Sequence, residues 1–224
     1  MKRKWKLPLG TIKGVEVTLH WSFLIVVAFL VAYPEARLLY GVAFASVLLH
    51  EFGHAAACWR SGIPCREITL HVLGGAAMAE IDYSTSVKNK YWGKMELQLA
   101  LAGPAVSFLL ALGFFLLAAI SGFPYFLLLI ALVNAFIMVL NLLPILPLDG
   151  GRALRAAITY FHGFDTGTRV TRWVSRLLLL VFFCLAAYYT LITNVIFVLI
   201  ILLWGEAMAA MELELHSDYQ KEIK

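Results

Sequence analysis

Residues 38–59 read LLYGVAFASVLLHEFGHAAACW. A helix of about 20 mostly apolar residues crosses the hydrocarbon core of a bilayer, and this run is long enough to do so. Its apolar character breaks at one place, His50-Glu51-Phe52-Gly53-His54. An ionisable side chain at the bilayer centre costs at least about 3 kcal/mol. Three within one helical turn need a strong common partner.

The rest of the chain repeats the apolar pattern. Of its 224 residues 62% are hydrophobic and 14% charged, whereas soluble domains carry about 25% charged residues. Six spans are predicted, making an all-α polytopic membrane protein. They run from about Val17 to Tyr33, Leu38 to Trp59, Leu97 to Ile120, Tyr125 to Leu143, Trp173 to Leu191 and Val195 to Met211. Spans five and six, separated by Ile192, Thr193 and Asn194, form a tight helical hairpin. No repeat or linker divides the chain, so 1–224 is expected to be one domain.

Basic residues favour the cytoplasmic side of a membrane. With six spans, every Lys and Arg except Arg37 falls on one side: the leader, the segments between spans two and three and between four and five, and the tail. Both termini are therefore expected in the cytoplasm of a multi-pass cell-membrane protein. The net charge of +4 reports this topology, not a nucleic-acid partner. A long basic leader without a small-x-small site argues against a cleaved signal. Cys58, Cys65 and Cys184 are scattered and odd in number, which favours reduced thiols over a disulfide framework.

On a helix, residues i and i+4 share a face, so His50 and His54 can reach one ion. Glu51, one step round, can handle a water there. This is the H-E-x-x-H spacing of zinc hydrolases. The alternative is a triad satisfied by hydrogen bonds in a helix bundle, and the membrane cost weighs against it. Catalytic zinc takes three protein ligands and a water. Asp149 is the leading candidate for the third. It ends NLLPILPLDGG, residues 141–151, in which two prolines stop the fourth helix. Broken backbone at membrane depth is tolerated where it lines a wet cavity. A plain helix end at the cytoplasmic surface, with Asp149 capping the next helix, fits these residues equally well. Cys58 continues the i, i+4, i+8 series, but that series extends about 12 Å along the axis, too far to converge on one ion.

The motifs HEFGH at 50–54 and NLLP leading to LDGG at 141–151 resemble the site-2 protease family of intramembrane metalloproteases. HWSF at 20–23, LGGA at 73–76 and AGP at 102–104 support the resemblance in the family's order. It implies that His50, His54 and Asp149 bind one zinc ion per chain, that Glu51 is the catalytic base, and that the site lies in the membrane and opens to the cytosol. Asn141 matches an asparagine thought to contact substrate or the developing oxyanion; a helix–helix hydrogen bond is its ordinary alternative. The chain is expected to be the bare transmembrane core, without PDZ or CBS domains, or a piece cut short at Lys224.

The implied reaction is peptide hydrolysis in a membrane-protein substrate that presents an unwound transmembrane segment. Residues Ile68 to Ile81 read as two short strands around Gly74-Gly75. The resemblance implies a partly membrane-embedded hairpin there, whose edge could accept an extended substrate. An amphipathic surface loop is the alternative. His20 and His71 read as packing or interface residues, His162 and His216 as solvated. Glu206 lies unusually deep in span six. Two other functions compete: a zinc transporter or sensor, which would need successive ligand sites, and a non-catalytic binder of membrane segments, which would not need Glu51. The sequence leaves oligomeric state open.

Overall fold

The structure is a computed structural model and describes residues 6–12, 14–63, 65–71, 74–79, 91–122 and 124–193. It is mostly helical with one small sheet. The elements are β1 (Lys6–Ile12), β2 (Val15–His20), α1 (Phe23–Ala32), a 3-10 turn (Pro34–Ala36), α2 (Arg37–Arg60), β3 (Cys65–His71), β4 (Gly74–Ala79), α3 (Tyr91–Ile120), α4 (Tyr125–Asn141), α5 (Asp149–His162) and α6 (Phe164–Thr193). They fall into two compact units, 1–81 with 101–141, and 82–100 with 142–224.

In the first unit the sheet order is β1-β2-β3-β4, antiparallel at both ends and parallel between β2 and β3. This corrects the expectation of a first span beginning near Val17. VEVTLH at 15–20 places Val15 and Val17 inside, the period of two that a half-buried strand requires. Helix α1 is then only ten residues, about 15 Å long. The expected hairpin between the second and third spans is present as β3 and β4. Its register pairs His71 with Gly74 and Leu70 with Gly75, so the two glycines belong to β4 itself. The hairpin is half of a larger sheet, because the basic leader supplies two more strands. Lys6 reaches both Glu67 carboxylate oxygens at 2.8 Å, and Thr18 Oγ1 donates to one of them.

Helix α2 carries the HEFGH motif and packs against β3, β4 and α4. It ends as sequence chemistry dictates: Gly62 takes φ +69°, Ile63 N–H donates to Cys58 O, and Gly62 N–H to Trp59 O. This Schellman closure uses the one residue type that adopts a left-handed turn without a Cβ penalty. One stripe of α2 is buried, including Ser46, His50, Gly53 and His54. A Cβ on Gly53 would sit 2.8 Å from Ala102 O on α3, so this glycine sets how closely the two backbones approach.

In the second unit, the start of α3 packs with α5. Gly93 comes under the α5 backbone, where a Cβ would lie 2.7 Å from Ala156 O. Glu96, 2% exposed, pairs with Arg155. Helix α4 stops at Asn141, two residues before the expected Leu143, ahead of Pro144 and Pro147. The segment that follows folds back over the start of α5. Any Cβ on Gly150 or Gly151 would lie under 3.0 Å from the backbone of Leu142, Leu143 or Ile145. Leu146 N–H donates to Ser175 Oγ at 2.9 Å, and Ser175 Oγ donates to Thr171 O. The doubled glycine therefore lets the proline-broken chain lie against the helix that carries Asp149.

Among the described residues, three helical segments are long and apolar enough to cross a membrane: Pro34–Arg60, Trp92–Ile120 and Phe164–Tyr189. The apolar helices Phe23–Ala32 and Tyr125–Asn141 are shorter. Large apolar side chains such as Leu24, Val31, Phe115, Ile120, Phe136 and Leu185 are exposed along these helices, a surface that lipid covers and water would not tolerate. The chain is a membrane protein. The expected sixth span, Glu206 and His216 lie outside the described residues.

Candidate metal centre

His50 and His54 project from adjacent turns of α2, and both are buried. Their Nε2 atoms are 3.3 Å apart. His50 Nδ1 lies 2.9 Å from Ser107 Oγ on α3. A proton on Nδ1, donated to that hydroxyl, leaves the Nε2 lone pair facing His54. Such a partner fixes the ring orientation that a metal ligand needs.

Asp149 is the first residue of α5, and it too is buried. Arg152, one turn on, lies 3.8 Å from Asp149 Oδ1. The cap of α5 is Leu148, not Asp149 as one reading of the sequence had it. Asp149 does begin the helix, and it is also grouped with the histidines. One ligand atom from each of His50, His54 and Asp149 lies within 4.8 Å of the other two.

Two nitrogens and one carboxylate oxygen in a buried cluster suit zinc, which takes such donors and in catalytic sites leaves a fourth position to water. The space around the nitrogens is kept by an absent side chain. A Cβ on Gly103 would lie under 3.0 Å from Nε2 of both histidines. The donors and this cradle together fit a metal ion.

The other expected site residues are placed as follows. Glu51 is buried on α2 beside His50. Asn141 is half-buried at the end of α4, and its amide nitrogen donates to Ile137 O at 3.0 Å. Cys58 is buried and does not belong to the metal-ligand group. His20 Nδ1 meets Ser22 Oγ at 2.9 Å, in keeping with a packing role, and His162 is exposed. Sequence reasoning missed Ser107. Its only signal is position, four residues after Gly103 and so on the same face of α3.

Known proteins resemble this chain over most of its length. The pattern of peptidase family M50 matches residues 39–125 and 117–185. A zinc metalloprotease of Methanocaldococcus jannaschii is 27% identical over 207 residues, covering 88% of this chain and 57% of its own length. Rip3 of Mycobacterium tuberculosis, named as a zinc metalloprotease, is 32% identical over 183 residues, covering 70% of this chain and 44% of its own. The chain thus spans about half the length of these relatives. Among solved structures, the site-2 protease from Methanocaldococcus jannaschii superposes with a TM-score of 0.65 at 26% identity, covering 88% of this chain and 91% of that one. The resemblance carried by HEFGH and NLLP…LDGG is borne out, and the chain belongs to peptidase family M50.

Proposed function

We propose that this chain is an intramembrane zinc metalloprotease that hydrolyses peptide bonds within or near transmembrane segments of other membrane proteins. The observation that carries the proposal is the buried group of His50, His54 and Asp149, with Glu51 beside the two histidines on α2. His50, His54 and Asp149 hold the metal. Bound zinc polarises a scissile carbonyl and acidifies water. Glu51 takes the proton of the attacking water and passes it to the leaving amine nitrogen. Asn141 offers its amide to the substrate carbonyl. An amide nitrogen carries two hydrogens, so the bond to Ile137 O leaves a second for that purpose.

A transmembrane helix hides its peptide bonds in its own hydrogen bonds, so the substrate must unwind before cleavage. Strand β4 lies at the edge of the sheet and packs against α2. It is the natural place for an unwound segment to add as a strand. The positions of the basic residues support six spans with both termini in the cytoplasm.

The test is Glu51→Gln, assayed on a poly-leucine transmembrane peptide carrying one Gly-Pro pair. Purified variant should retain zinc and lose cleavage by about 10²- to 10⁴-fold, the usual worth of a general base. Undiminished cleavage would remove Glu51 from the chemistry. Failure of wild-type protein to cleave any transmembrane peptide would reject the proposed activity.

A further inference from the structure

A second polar feature lies away from the metal group. Asn134, on α4, is 1% exposed. Its Nδ2 donates to Ser46 Oγ and to Ile130 O, both at 2.9 Å. The Ile130 carbonyl can only accept, so the atom facing it must be the amide nitrogen, and the orientation of the side chain is fixed. Asn134 Oδ1 is then buried with no hydrogen-bond partner among the described residues. Leaving such an acceptor unmet costs about 1–3 kcal/mol.

Asn134 lines a groove of about 390 Å³, with Gly41, Ala45 and Ser46 of α2, Leu110 of α3 and Phe126 of α4. Along α2 the groove runs from Arg37 to Leu49, about 18 Å at 1.5 Å per residue. It stops beside His50. An acyl chain could fill the apolar walls, but it has no hydrogen to give Oδ1. A helical segment has only side-chain donors to spare. An unwound peptide has backbone N–H groups in need of acceptors, and Oδ1 is one, covered by its neighbours until an occupant of the groove parts them.

Position on α4 makes the fit quantitative. Asn134 and Asn141 are seven residues apart and so share a face, about 10.5 Å from each other. An extended peptide rises about 3.3 Å per residue. A strand whose scissile carbonyl meets Asn141 therefore brings a residue about three positions away to Asn134.

We infer that the Asn134 groove is a substrate subsite, in which Oδ1 accepts a backbone N–H of the unwound segment about three residues from the bond cut, towards the Arg37 end of the groove. This rests on the proposed protease activity and on the role given to Asn141. It places a substrate-binding residue outside the two sequence motifs.

The experiment uses full-length chain in lipid nanodiscs, with the photo-crosslinker p-benzoylphenylalanine in place of Ala45 or, as a control on the exposed side of α4, Leu132. The probe is the poly-leucine peptide with one Gly-Pro pair. Adducts with the peptide at Ala45 and few at Leu132 are expected. Asn134→Leu in the Ala45 background should cut the yield about tenfold, the loss expected for one buried hydrogen bond. In cleavage, Asn134→Leu should raise KM by a similar factor with kcat and zinc content little changed. Adducts with phospholipid alone, equal peptide adducts at both positions, or a yield insensitive to Asn134→Leu would overturn the subsite. Crosslinking does not require turnover, so an inactive wild type would reject the protease reading while the adducts still decide the groove.

Discussion

His50 Nδ1 and Ser107 Oγ lie 2.9 Å apart, joining the motif helix α2 to α3. Ser107 is fully buried, so the hydroxyl has no water to replace this partner. Ser107→Ala should keep the fold and weaken zinc binding about 10- to 100-fold, the range found for partners that orient metal-binding histidines. Competition with a chelator measures it. Unchanged affinity would mean that His50 is oriented by other contacts.

Gly103 and Gly53 should fail in different ways. A Cβ at Gly103 enters the space in front of both imidazole Nε2 atoms, whereas a Cβ at Gly53 meets Ala102 O and Val106 Cγ2, each at 2.8 Å. Gly103→Ala should therefore abolish zinc uptake with modest loss of stability. Gly53→Ala should lower stability by about 1–3 kcal/mol, as overpacking does. Zinc analysis beside thermal melts separates the two. Full zinc in Gly103→Ala would show that the cradle is not where the ion sits.

Glu67 ties the sheet together through Lys6, Thr18 and Thr69. Burial alone would raise its pKa, but hydrogen bonds from Lys6, Thr18 and Thr69 and the Lys6 charge outweigh that and hold it below 4.5. A carboxyl depressed in the folded state stabilises the fold above its unfolded pKa, and the contribution is lost as pH falls through the folded value. The sheet should therefore weaken on acidification below pH 4.5. Glu67→Gln should remove this part of the pH dependence and leave neutral-pH cleavage intact. Identical acid profiles for variant and wild type would contradict the assignment.

Glu96 and Arg155 form a buried ion pair between α3 and α5. Removing one partner strands the other charge, at a cost of about 3–5 kcal/mol. Glu96→Ala should therefore lower Tm sharply. The double replacement Glu96→Leu with Arg155→Met should recover most of the loss, since an apolar pair of similar volume is often no less stable. A double variant as unstable as the single would show that the charges are needed for more than each other.

The metal centre was legible where local spacing carries the information. His50 and His54 are one helical turn apart, and no tertiary fact is needed to bring them together. Asp149 was a candidate from the broken helix before it, and only the family resemblance raised it above a plain helix end, because nothing local fixes its distance from α2. The first span was misread for a related reason. Val17, Leu19 and the apolar run after His20 suit a long helix by hydropathy, and only the alternation of VEVTLH marks a strand. That alternation is decisive once β3 supplies a parallel partner, which is remote in sequence. Ser107 and Asn134 carry no motif of their own, and AGP at 102–104 does not by itself place Gly103 before the imidazoles. Their roles come from which helices face each other.

The sheet also implies an order of assembly. The β1–β2 and β3–β4 pairs are hairpins between neighbouring stretches of chain, whereas Thr18 and Thr69, paired across β2 and β3, are 51 residues apart. Closing so long a loop has an entropic penalty that local pairs avoid. Both hairpins can form as soon as their residues exist, but their parallel joint must await α1 and α2, including the turn that carries His50 and His54. Amide protection in a refolding time course should therefore appear at the β2–β3 joint last. Until then β2 and β3 are open edges, exposed to mispairing while α2 finds its place.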